Sequence, residues 1–298
     1  MEKRLAFKKI DAFATGRSAG NPAAAVYLES QSLSPGEMQR VARELKGFVS
    51  EVGFLTRIDG GTFGLEYYSS ERKVEFCGHA TIAIMYDLLR NDPEAAKKPF
   101  VEIVTDKGKL LVENRIEAQD AVFISAPKPT FSSRAIAPAE LAAALGADPE
   151  TLDLDGRVPV VNAGLETLIV PMTSLEAVLE AAPGFDALKQ LCIEHSLDIV
   201  LVYSDQVSDR ASSFRTRVFA PLFGYLEDPA TGSGNAALGN HLLRTGIWDG
   251  HPISLEQNGD AANPNRIKLV AGENESGELQ VRFGGGAIVR IEGEYLLA

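Results

Sequence analysis

The sequence predicts an α+β fold made of two similar lobes, in each of which short strands curl around one central helix. Three observations lead there. Residues Gly78-His79-Ala80-Thr81-Ile82-Ala83-Ile84-Met85-Tyr86-Asp87-Leu88-Leu89-Arg90 align without a gap with Gly232-Ser233-Gly234-Asn235-Ala236-Ala237-Leu238-Gly239-Asn240-His241-Leu242-Leu243-Arg244, a repeat that points to duplication. Each half carries many short strands and one prominent helix rather than alternating strand–helix–strand units. At 298 residues the chain is also long enough for two units that each bury a core.

Taken in order, Leu5 to Ile10 reads as a strand, and Gly20-Asn21-Pro22 breaks the chain before the apolar run Ala23 to Leu28. Ser34-Pro35 supplies an N-cap and a first-turn proline, and Met38, Val41 and Leu45 recur at helical spacing, so a helix is expected to end near Gly47. Phe48 to Leu55 reads as a strand with one carboxylate, Glu51, inside an apolar segment. Thr62 to Tyr68 follows as a strand, and Val74 to Phe76 leads into the first glycine-started helix. Phe100 to Val104, Lys109 to Val112 and Val122 to Ser125 are further strands. Ala126-Pro127-Lys128-Pro129 is stiff and reads as a linker between a first lobe, 1–125, and a second, 126–298, whose last strand is a candidate to pack back on the first. The second half repeats the plan with helices over Ala137 to Leu145 and Phe185 to His195. Its strands fall at Val158 to Val161, Leu165 to Val170, Ile199 to Tyr203, Ser213 to Phe219, Ile267 to Val270, Leu279 to Phe283 and Ala287 to Ile291.

Composition excludes several function classes. Asp and Glu total 41 against 29 Lys and Arg, a formal net charge of −12 without any basic run, which disfavours nucleic-acid binding. No stretch approaches the apolar length of a membrane span, and charged residues interrupt the sequence after Met1, so the expectation is a cytoplasmic protein. Cys77 and Cys192 are the only cysteines and lack zinc-type spacing, so reduced thiols are expected. Gly232-Ser233-Gly234-Asn235-Ala236-Ala237 matches a dinucleotide fingerprint only loosely, because Pro229 interrupts the approach and no βαβ unit surrounds it.

The candidate site residues gather at the two helix starts. Glu51, if turned inward, loses solvation and suits a general base; the plain alternative turns it outward on an edge strand. His79, in the first turn of a helix, is expected to be neutral and able to carry a proton, or else to bond a loop carbonyl. Cys77 lies at the same helix end, either as a reactive thiol or as a small buried hydrophobe. Asp228 stands ahead of the second helix, where it can cap backbone donors or hold a substrate ammonium. Ser233 and the N–H groups around Gly78 and Gly232 can bind a carboxylate, unless Ser233 is a plain N-cap. If the two helix ends face each other, they grip an anion.

Phe13-Ala14 with Gly20-Asn21-Pro22-Ala23-Ala24-Ala25-Val26, Ser50-Glu51, Phe76-Cys77-Gly78-His79-Ala80-Thr81, and Val218-Phe219-Ala220-Pro221 leading to Glu227-Asp228-Pro229-Ala230-Thr231-Gly232-Ser233 together resemble the phenazine-biosynthesis PhzF-like family, in order and in spacing. That family is similar in fold to diaminopimelate epimerase: two lobes, each a curled sheet or barrel around a central helix, with the active site in the cleft between them. The resemblance implies a cofactor-independent and metal-free isomerase acting on a small carboxylate-bearing molecule, with Glu51 as general acid/base, His79 and Asp228 beside it, and Cys77, Gly78, Gly232 and Ser233 lining the substrate. It also implies a homodimer. Related racemases oppose two cysteines; Cys77 fills the first place, while Asp228-Pro229-Ala230-Thr231-Gly232 offers no second. Val52, Asn240-His241 and the Gln257 to Arg266 segment depart from the family pattern and bear on substrate identity. A catalytically silent small-anion-binding protein of the same fold is the alternative reading.

Overall fold

A computed structural model describes residues 3–29, 31–273 and 277–298. Its contacts divide the chain into two compact units, residues 1–125 with 284–298, and residues 126–283.

The first unit contains β1 (Lys3–Ala12), β2 (Asn21–Tyr27), α1 (Pro35–Glu44), β3 (Glu51–Arg57), β4 (Thr62–Ser69), β5 (Lys73–Val74), α2 (Gly78–Asn91), β6 (Phe100–Thr105), β7 (Gly108–Asn114), α3 (Ile116–Gln119) and β8 (Val122–Ser125). The strands run β1–β2–β3–β4–β6–β7–β8 across one sheet, parallel at β2/β3 and β4/β6 and antiparallel elsewhere. Helix α2 packs on β1, β2 and β3 and also on β8, so the sheet curls around it. Its residues from Ala80 to Leu89 are all buried, as a helix enclosed on every side requires. Gly53 lets it come close, since a Cβ there would lie 2.2 Å from Ile84 Cδ1.

Helix α1 covers the outer face instead and buries only Met38, Val41 and Ala42, which join a cluster with Leu5, Val26, Val52 and Tyr68. It stops at Glu44, short of Gly47, because the N–H groups of Phe48 and Val49 turn back to the Leu45 carbonyl. That turn leaves Phe48 exposed and delays the next strand to Glu51.

The second unit contains β9 (Thr130–Arg134), α4 (Pro138–Leu145), β10 (Val158–Asn162), β11 (Glu166–Pro171), α5 (Leu175–Glu180), α6 (Phe185–His195), β12 (Ile199–Ser204), β13 (Phe214–Phe219), β14 (Glu227–Asp228), α7 (Gly232–Thr245), β15 (Ile253–Gln257) and β16 (Asn265–Glu273), with β17 (Leu279–Gly285) at its end. The pairing runs β9–β10–β11–β12–β13–β15–β16, parallel at β11/β12 and β13/β15. Helix α7 packs on β10, β11, β12 and β16, while α4, α5 and α6 bury Leu141, Leu145, Val178, Leu188 and Leu191 against the other face.

The last strand, β18 (Ala287–Leu297), pairs antiparallel with β1 and also lies against α2. With it in place both units show one series of pairings. From β18 to β7 in the first unit and from β9 to β16 in the second, the order is antiparallel, antiparallel, parallel, antiparallel, parallel, antiparallel. The enclosed helix occupies the same crossover in each, after a two-residue strand that hairpins back. Among the described residues no helix is long and apolar enough to cross a membrane.

Candidate active site

The first unit brings Glu51, Cys77 and His79 together. Glu51 opens β3, which is an interior strand: Ala23 of β2 stands beside it on one side and Ser69 of β4 on the other, so the edge-strand alternative does not apply. Its Oε2 lies 3.3 Å from His79 Nε2, with side-chain exposures of 21% and 13%. Cys77 is the N-cap residue of α2, and its Sγ lies 3.4 Å from His79 Nδ1.

The His79 ring bonds the Pro22 carbonyl, which also accepts the Ser50 N–H at 3.3 Å. The Gly20-Asn21-Pro22 break therefore orients the imidazole. Burial pushes the His79 pKa down to about 4, only partly opposed by the Pro22 bond, so the ring is neutral at neutral pH. His79 thus bonds a loop carbonyl, the plainer of its two sequence readings, and also lies beside the Glu51 carboxylate. At the opposite end of α2, hollows of about 700 and 690 Å³ surround Lys8 and Asp87, but there Lys8, Tyr27 and Asn91 already engage the Asp87 carboxylate.

In the second unit Asp228 ends β14 and Gly232 and Ser233 open α7, and the scaffold of the short loop that joins them is a residue the sequence reading did not single out for the task. Gln257, at the end of β15, is fully buried. Its Oε1 accepts from the Thr231 N–H at 2.9 Å and from Asn235 Nδ2 at 2.6 Å, and its Nε2 donates to the Asp228 carbonyl at 2.8 Å and to Thr231 Oγ1 at 3.0 Å. A backbone N–H can only donate, so the amide has one permitted orientation. Thr231 Oγ1, already receiving a proton from Gln257, must point its own at Asp228 Oδ2. That oxygen is thereby held as an acceptor.

Asn265 Nδ2 fixes the Pro229 carbonyl at 2.7 Å, and Arg217 clamps the neighbouring Glu227 through two bonds of 2.9 and 2.8 Å. Gly232 is required by space, since a Cβ would lie 2.2 Å from the Phe283 ring. The only advance signal for Gln257 is that it begins the Gln257 to Arg266 segment, which read as a departure from a pattern.

Neither enclosed helix is closed at its start by a side chain. Cys77 and Thr231 occupy the N-cap positions without a side-chain capping bond, and no acidic residue stands in either first turn. Ser233 lies inside α7 and is not its N-cap. Helix α1 shows the contrast: Ser34 and Glu37 form a complete capping box and consume the end donors. The N-termini of α2 and α7 thus keep first-turn N–H groups and a positive dipole end available to an anion.

The profile of the phenazine biosynthesis-like protein family matches residues 10–293. The chain belongs to that family. It is 30% identical to trans-2,3-dihydro-3-hydroxyanthranilate isomerase of Pseudomonas aeruginosa over 273 residues, covering 87% of each chain. It is 27% identical to the uncharacterized isomerase YfhB of Bacillus subtilis over 284 residues, 94% of each. A crystal structure of a PhzF-family phenazine biosynthesis protein from Bacillus anthracis superposes with a TM-score of 0.84 over 98% of this chain and 99% of that one, at 23% identity. This PhzF-like protein is an isomerase with a mixed, sheet-dominated fold.

Proposed function

We propose that this PhzF-like isomerase moves a proton on a small carboxylate-bearing substrate, with Glu51 as the general acid/base. The observation that carries the reading is the Glu51–His79 pair, a carboxylate 3.3 Å from a neutral imidazole at the uncapped start of α2. A carboxylate needs no cofactor or metal to remove a proton from a carbon acidified by a neighbouring carboxylate, carbonyl or double bond. His79 holds or relays the proton beside it. The N-terminus of α2, with Cys77 and Gly78, and that of α7, with Gly232 and Ser233, bind the substrate carboxylate and stabilise charge that builds up in the transition state.

Asp228, held as an acceptor by Thr231, takes a hydrogen-bond donor of the substrate such as an amino group. In this reading water is excluded from the site when substrate binds, and the protein is a cytoplasmic homodimer. The names of its Pseudomonas relatives make trans-2,3-dihydro-3-hydroxyanthranilate the first substrate to try, followed by other small unsaturated amino carboxylates.

The test is deuterium wash-in from solvent across that panel. Wild-type protein is expected to label its substrate, and Glu51→Gln to slow labelling by about 10²–10⁴-fold. Equal labelling by both proteins would sink the base assignment, and binding without labelling of any ligand would favour the silent anion-binding alternative.

A further inference from the structure

We propose that Glu51, Cys77 and His79 form a zinc-binding trap at the start of α2, through which Zn²⁺ reversibly inhibits the enzyme. The trio offers a carboxylate oxygen, a sulfur and a ring nitrogen, all within 4.8 Å of one another. Tetrahedral zinc bonds sulfur at about 2.3 Å and nitrogen or oxygen at about 2.0–2.2 Å, which sets neighbouring donors about 3.4–3.6 Å apart. Here Nε2 and Oε2 are separated by 3.3 Å, and Sγ stands 3.4 Å from Nδ1 and 4.0 Å from Nε2. An ion on Nε2 has the oxygen already in place and draws the sulfur in from 4.0 Å; the 3.4 Å contact is to Nδ1, which such an ion leaves unused.

The second argument is the orientation of the imidazole. A neutral ring has one proton, and giving it to the Pro22 carbonyl leaves a lone pair on the other nitrogen. A histidine ligand in metal sites is held in this way, by a backbone carbonyl on its far side. The third is ligand type: a thiol with an imidazole and a single carboxylate selects Zn²⁺ over Mg²⁺ or Ca²⁺, which want oxygen cages. Binding is a plain exchange in which Zn²⁺ forms bonds to Sγ, a ring nitrogen and a Glu51 oxygen, and the Cys77 proton passes to solvent. The inhibition clause rests on the reading of Glu51 as the base, because a carboxylate bound to zinc no longer takes a proton. The binding clause stands without it.

Titration of the reduced full-length protein with Co²⁺, which replaces zinc and is coloured, reads the site without any turnover. Wild type is expected to take up one Co²⁺ with a thiolate-to-cobalt charge-transfer band that Zn²⁺ abolishes by displacement. Cys77→Ser is expected to lose the band, and Glu51→Gln and His79→Asn each to weaken binding by at least about tenfold. The band reports Cys77 alone, because the other thiol, Cys192, is fully buried and its pKa is pushed up to about 11 by that burial. Cobalt held instead at Glu140, Glu194 and His195, the other cluster of ligand-type side chains among the described residues, would show no such band.

Alkylation of Cys77 in the wild-type protein gives a readout independent of the variants, with Zn²⁺ expected to slow it and a chelator to restore it. The proposal is overturned if excess Co²⁺ gives no band, if the band survives in Cys77→Ser, or if Zn²⁺ leaves alkylation unchanged. A wild-type band together with equal deuterium labelling by wild type and Glu51→Gln would keep the metal site and reject the base.

Discussion

Glu51 and His79 share a setting in which the imidazole cannot easily take a proton: burial holds its pKa at about 4, against about 6.5 for a free histidine. The unfolded chain binds that proton below pH 6.5 and the folded chain does not until about pH 4. The neutral ring therefore imposes no cost above pH 6.5, and stability falls as pH drops from 6.5 to 4, in total by about 3 kcal/mol. Urea unfolding with a chelator present should show this slope in wild type and a slope shallower by up to about 1.4 kcal/mol per pH unit in His79→Gln. An unchanged slope would mean that His79 is not the group responsible. Both residues stand out in the sequence, Glu51 as one acid in an apolar run and His79 beside a helix-starting glycine. What sequence does not give is the cause of neutrality. The dipole of the helix end suggests it, but burial is what sets it, against the opposing bond to the Pro22 carbonyl.

At the scale of elements, the start of α7 depends on a strand that is distant in sequence. Gln257 ties the Asp228 carbonyl, the Thr231 N–H and hydroxyl, and Asn235 into one network. Such a partner is invisible to local reading, because β15 reaches the loop only through its parallel pairing with β13. The helix itself was legible from its repeat with 78–90, whereas β9, β15 and α5 were not: their apolar stretches are too short to set a period. Gln257→Met keeps the volume and removes every hydrogen bond, leaving buried donors and acceptors that cost about 1–3 kcal/mol each when unpaired. The expected result is a loss of at least about 2 kcal/mol in urea unfolding, with faster amide exchange concentrated over residues 228–236. Uniform acceleration across the second unit would mean that Gln257 is general core packing and not the scaffold of the loop.

For the whole molecule, the duplication predicted from two helices is written more fully in the order of strand pairing, which no local pattern shows because it joins residues far apart. The clearest case is β18. The sequence marks Ala287 to Ile291 as a strand and a candidate to pack back on the first lobe; it extends to Leu297 and runs along β1 from Lys3↔Leu297 to Ala12↔Ala287. It supplies in the first unit the place that β9 fills in the second. Without it, β1 becomes an open edge, and α2 loses one of the strands that enclose it. Removing residues 287–298 should therefore act on the first unit selectively. Hydrogen exchange is expected to lose protection over 3–12 and 78–91, while residues 158–171 and 199–219, whose pairings lie within the second unit, keep theirs. Because α2 carries His79 and packs against β3, which begins at Glu51, the same truncation should abolish isomerase activity. Retained protection over 78–91 would show that β18 is dispensable to the enclosure of α2, and that the first unit is held by its other strands.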